Sequence, residues 1–145
     1  MEGTMTRIIT LLNEKNHYLE KFYSLNEVEL ANFAQGQFDN LEHFYQTRER
    51  ILEVLKYVDS QIERIQDDTM IDGTITEEHR AQVKESLRIK DEYVARIIEQ
   101  DLQVLTCIET AKNSIIRELQ EVRRNRKAVG GYKMKTFNQR LDEEV

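Results

Sequence analysis

Between Thr76 and Val129 the chain has no glycine and no proline, and its apolar residues recur at steps of three and four. That spacing marks one face of an α-helix. A stretch this long without a breaker predicts one very long helix, or two helices joined by a bend. A single helix over this span would be about 80 Å long. Residues 1–75 are enough for a shorter antiparallel pair that covers only part of it. Proline is absent from the whole chain. Because proline costs about 3 kcal/mol inside a helix, its absence suits a mostly helical protein. Apolar residues make up 39% and charged residues 33%. That balance fits thin helices, each burying one stripe and exposing the rest.

The first helix is expected over residues 4–35, capped by Thr4 or Thr6. Met5, Ile8, Leu12, Leu19 and Phe22 form its stripe, interrupted by Lys15 and Asn26. The stripe then shifts phase to Leu30 and Phe33. Gly36 suits a left-handed position just past a helix end. Asp39 and Glu42 have the spacing of a capping box, and Phe38 can pack back as a staple. A hairpin is therefore expected, with one helix running through Gly36 as the competing reading. The second helix is expected over 39–67. Leu41, Phe44, Arg48, Ile51, Leu55, Val58, Ile62 and Ile65 alternate steps of three and four as a coiled-coil-like seam. Arg48 either snorkels out or pairs with a carboxylate on a neighbour. Asp67 to Thr74 is expected to be a loop turning at Asp72-Gly73. Its aspartates do not follow the order of a calcium-binding loop.

Thr74 or Thr76 would cap the long helix, with Glu77 and Glu78 in its first turn. Its stripe takes in Val83, Leu87, Val94, Ile98, Leu105, Ile108, Ile115, Leu119, Val122 and Val129. Asp101, Lys112 and Arg126 sit between them, and Ile97, Leu102, Val104 and Ile116 flank the stripe. The first two helices would be about 48 and 43 Å long, so the third passes the Gly36 turn near Leu105. Ile108, Ile115, Ile116, Leu119, Val122 and Val129 are then left uncovered. A contiguous apolar stripe of this size marks an interaction site. Three outcomes would cover it: a partner protein, a second copy, or a bend near Thr106 to Ser114 that folds the end back as a fourth helix. Gly130-Gly131 is expected to end the helix. Beyond it Tyr132, Met134, Phe137 and Leu141 are spaced through charge, in a flexible tail that would become an amphipathic helix on binding. The expected architecture is all-α: an elongated antiparallel three-helix bundle in a single domain, with a partner-binding extension at 106–129.

Charge and chemistry narrow the function. The net charge is −6, which argues against general nucleic-acid binding. From Lys112 to Lys135, however, eight basic and two acidic residues leave +6, so the rest carries −12. This basic end either complements the helix C-terminus or docks an acidic partner. Cys107 is the one cysteine, which excludes an internal disulfide and fits a reducing compartment. The apolar patch Ile8 to Leu12 is too short for a signal peptide or membrane span, so a cytosolic location is expected. Glu14-x-x-His17 has the spacing of half a di-iron site, but neither His43 nor His79 supplies the other half. No phosphate loop, nucleophile elbow or zinc spacing occurs. Neither enzyme chemistry, a metal nor a cofactor is expected.

The run LLNEKNHYLEKFYSLNEVELANFAQGQFDNLEHFYQTRERIL, with its Gly36-x-x-Asp39 break and its Arg48-Glu49-x-Ile51-Leu52 helix, resembles flagellar type III export chaperones of the FlgN/FliT class. The later run QDLQVLTCIETAKNSIIRELQ, followed by a tail containing Tyr132, is also similar. The resemblance covers about Ile8 to Lys133. It implies a cytosolic chaperone that holds a helical terminal segment of a hook-associated or filament-cap protein before secretion and presents it to the export apparatus. Such chaperones use an amphipathic C-terminal helix, which falls here on Ile115, Leu119, Val122 and the region after them. The alternative is a coiled-coil scaffold that associates with itself through the long helix.

Overall fold

The computed structural model describes residues 3–68 and 75–136. They form three α-helices: α1 (Thr4–Ala34), α2 (Leu41–Asp68) and α3 (Glu77–Thr136). The chain divides into two compact units, Met1–Leu105 and Thr106–Val145.

In the first unit the three helices pack together. Lys15 on α1 pairs with Asp59 on α2 at 2.7 Å, and Arg48 on α2 lies over the Phe22 ring of α1. Low numbers meet high ones, so α1 and α2 are antiparallel. Asn16 donates to the Ser86 carbonyl and Asn26 to Gln100 Oε1, so α1 and α3 run parallel. The result is an up-down-up bundle. Leu19 and Phe22 of α1, Ile51 and Leu55 of α2 and Ile97 of α3 form one buried cluster, with Tyr18, Tyr23, Leu25, Leu52 and Tyr93 packed around it.

The turn between α1 and α2 is built as its residues require. Gly36 has φ 73°. Its N–H donates to the Phe33 carbonyl and the Gln37 N–H to the Asn32 carbonyl, both at 2.9 Å. This is the paired closure of a Schellman motif, and it depends on a residue without a Cβ at the left-handed position. Phe38 stacks on Phe33 across the turn, with centroids 4.7 Å apart. The staple therefore reaches back to α1 and not into α2. The start of α2 lies two residues later than expected: the Asn40 carbonyl takes the first helical bond from Phe44 N–H at 2.9 Å. α1 starts at residue 4 as expected, but its cap differs. Gly3 is its N-cap and makes no side-chain capping bond, so neither Thr4 nor Thr6 serves.

Thr76 does cap α3. Its Oγ1 accepts the His79 N–H at 3.1 Å and its carbonyl accepts the Arg80 N–H. Thr76→Ala should lower the unfolding free energy by about 1 kcal/mol, read from urea denaturation. In the next turns Arg88 donates two hydrogen bonds to Glu85 and pairs with Glu92. The bonds from Arg88, and then its charge, hold the exposed Glu85 carboxyl below the usual carboxylate range. The turn expected at Asp72-Gly73 lies outside the described residues.

The seam of α2 holds as expected. Phe44, Ile51, Leu55, Val58 and Ile65 are buried, and Leu41, Arg48 and Ile62 are half-buried. The seam of α1 needs a correction. Leu19, Phe22, Asn26, Glu29 and Phe33 are all buried, and these positions alternate steps of three and four without a slip. The phase does not shift to Leu30, because Asn26 and Glu29 fill the seam themselves.

The larger correction concerns α3. Within the first unit its buried residues are Ser86, Ile97, Gln100 and Val104, with Tyr93 packed on the core. Leu87, Val94, Ile98 and Leu105, expected to face the bundle, are exposed. The inward seam lies one residue before the expected stripe, a rotation of about 100°. Polar partners on α1 explain it. Ser86 Oγ donates to Asn13 Oδ1 at 2.6 Å. Gln100 Nε2 donates to the Tyr23 carbonyl and to Glu27 Oε1, and Gln100 Oε1 accepts from Asn26. Buried amides need such partners, and here they outweigh the more apolar alternative face.

Candidate functional site

The candidate surface belongs to the second unit. Its described part is the α3 segment from Thr106 onward. The helix runs unbroken through Thr106 to Ser114, so no fourth helix begins there. Thr110 fits this run by donating its hydroxyl to the Thr106 carbonyl at 2.8 Å. Nor does Gly130-Gly131 end the helix, which continues to Thr136. Two glycines cost a helix about 2 kcal/mol in total, which a helix this long can absorb.

Every residue from Lys112 to Val129 is exposed. Ile115, Ile116, Leu119, Val122 and Val129 keep between 41 and 57% of their surface in contact with solvent. Ile108 is half-buried, as are Cys107 and Ala111. Tyr132 and Met134 lie on the last turns of α3; Phe137 falls outside the described residues. The structure thus puts five of the nine expected partner-binding side chains on one exposed helix.

Their arrangement follows from helical geometry. Lys112, Ile115, Leu119, Val122, Arg126 and Val129 are separated by alternating steps of three and four, so they share one face. Ile115, Leu119 and Val122 are its apolar centre, with a cation two heptads apart at either end. Arg123 and Lys127 lie along one edge, Glu118 and Glu121 along the other. Gln120, Arg123, Arg124 and Lys127 line a shallow hollow of about 410 Å³. The face therefore offers an apolar strip framed by charge, with a distinctly basic side.

Arg48 takes part in the packing of the first unit. Its Nη2 donates to Asp101 Oδ2 at 3.0 Å and its guanidinium lies 5.3 Å from the Phe22 ring centroid. Asp101 Oδ1 also accepts from Asn26. Arg48 is tied into the bundle, as its expected pairing with a neighbouring carboxylate required. Sequence reading missed Glu29, which is buried on the α1 seam. The signal was the unbroken three-four spacing from Leu19 to Phe33.

Among the described residues no group of three or more His, Cys, Asp or Glu is placed to hold a metal ion. No helix among them is long and apolar enough to cross a membrane. No protein-family model matches the chain, and neither a curated protein nor a solved structure gives a match.

Proposed function

We propose that this chain is a helix-binding chaperone that shields an amphipathic segment of a client protein, as in the cytosolic flagellar export chaperones its sequence resembles. The client would be a helical segment of a hook-associated or filament-cap protein, held before export. The observation that carries the reading is the exposed strip Ile115, Leu119 and Val122, flanked by Ile116 and Val129. Apolar residues concentrated on one face at helical spacing are what a partner helix covers. A client helix buried there would be protected from aggregation while unassembled. Micromolar affinity, about −8 kcal/mol, permits both capture and release. The reading needs no nucleotide or cofactor.

Leu119→Asp tests it. Half-exposed Leu119 contributes little to folding, so the change should alter stability by no more than about 0.5 kcal/mol. In the complex the new carboxylate would lie unpaired against apolar surface, and affinity should fall at least about a hundredfold. The measurement is capture of the client from the native cytosol, followed by calorimetry of its helical segment against both proteins. A large loss of stability in Leu119→Asp would put the residue in the folded core and overturn the reading. The heptad spacing of the same face also favours a second copy as occupant. A tight dimer in light scattering, unchanged by any helical client, would establish that scaffold reading instead.

A further inference from the structure

A second recess belongs to the first unit. An open groove of about 740 Å³ runs between α1 and α2. α3 meets α1 through Asn13, Asn16, Tyr23, Asn26 and Glu27; the groove opens on another face. Its walls are Tyr18, Leu25, Val28, Ile51 and Val54. Val28 keeps 60% of its surface exposed there. From His17 to Glu29 it follows α1 for about 18 Å, some three turns of a helix.

Its charges are arranged unusually. Glu29 lines the groove and is 1% exposed, and its Oε1 has no hydrogen-bond partner among the described residues. A buried carboxylate oxygen without a donor is costly, and the cost is recovered when a cation or donor reaches it. Lys21, Arg50 and the carboxylate of Glu20 line the same groove. Lys21 Nζ sits over the Tyr18 ring, 5.1 Å from its centroid. Lys21 stands two turns of α1 before Glu29.

We propose that this groove seats an amphipathic helix of a partner protein, whose lysine or arginine reaches Glu29. Leu25, Val28 and Val54 would pack against its apolar side chains. A carboxylate two turns from its basic residue would meet Lys21 and Arg50. The groove's length selects a helix of about three turns, and its paired helical walls give the ridges such a helix packs between. The groove shares no residue with the Leu119 strip, so the two readings stand or fall independently.

The test is a selection on the immobilised full chain from a displayed library of helix-biased 16-residue peptides. Enriched peptides should carry a lysine or arginine at a fixed place in the apolar stripe. Replacing an arginine there with citrulline, which keeps the shape and removes the charge, should weaken binding by about tenfold. Glu29→Gln should erase that difference without lowering the melting temperature, since glutamine keeps the shape of the side chain. Val28→Lys, at an exposed position, should block the groove and abolish binding. Leu119→Asp should leave it unchanged. The proposal is overturned if no peptide is enriched, if the enriched peptides lack a basic residue, or if they bind Glu29→Gln and Val28→Lys as tightly as the native chain.

Discussion

Phe44→Ala is expected to lower the unfolding free energy by about 3–5 kcal/mol, read as a large fall in the urea midpoint. Phe44 is 1% exposed and sits in the first turn of α2, beside the Gly36 turn. Its ring contacts that of Tyr45 at 5.5 Å between centroids. Replacing it with alanine removes the transfer energy of the ring and leaves a cavity that helices held by a short connection cannot easily close. The cost is a large share of the 5–15 kcal/mol that holds a typical domain folded. Val129→Ala supplies the contrast. It shortens a side chain that is 54% exposed and should shift stability by no more than about 0.5 kcal/mol. A loss below about 1 kcal/mol for Phe44→Ala would mean that this end of the hairpin is not closed as described.

The helices and the hairpin were legible because they rest on local chemistry. Gly36 supplies a left-handed residue, Thr76 supplies a capping oxygen, and the α2 seam repeats at the spacing its helix needs. Each of these signals lies within a few residues of the structure it causes. The boundaries of the first two helices also fell within two residues for that reason. The exposed strip of the candidate site was legible too, since from Lys112 to Val129 the apolar spacing belongs to a single uninterrupted helix.

The rotation of α3 in the first unit was not legible from α3 alone. Counting apolar residues favours Leu87, Val94, Ile98 and Leu105 over Ser86, Tyr93, Ile97, Gln100 and Val104. The second set wins because Asn13, Asn16, Asn26 and Glu27 on α1 offer partners to Ser86 and Gln100. Those partners are some 70 residues distant in sequence, and no periodicity within one helix reveals them. The same blindness hid the α1 seam. Asn26 and Glu29 look like interruptions until the groups that surround them are known.

If the polar layer sets that rotation, removing it should release α3. Asn26 is fully buried, and its amide donates to Gln100 at 3.2 Å and to Asp101 at 3.3 Å. Asn26→Leu takes a donor from both; the buried Gln100 oxygen is left without one, at a cost of about 1–3 kcal/mol, while half-buried Asp101 keeps its bond from Arg48. A net destabilisation of about 1–3 kcal/mol is expected. Asn26→Leu combined with Gln100→Leu removes the amide layer altogether, and its outcome separates two roles. Were the layer only a burden of buried polarity, the double variant would keep its rotation and gain stability. A layer that selects one rotation over a more apolar rival behaves otherwise, because α3 would turn by about one residue and bring Ile98 and Leu105 inward. The readout is thiol labelling of Ile98→Cys in a Cys107→Ser background. Ile98 is 57% exposed, so the cysteine should react quickly when the layer is present and at least about tenfold more slowly in the double variant, where local opening limits access. Unchanged labelling with raised stability would show that apolar contacts alone hold α3 in place.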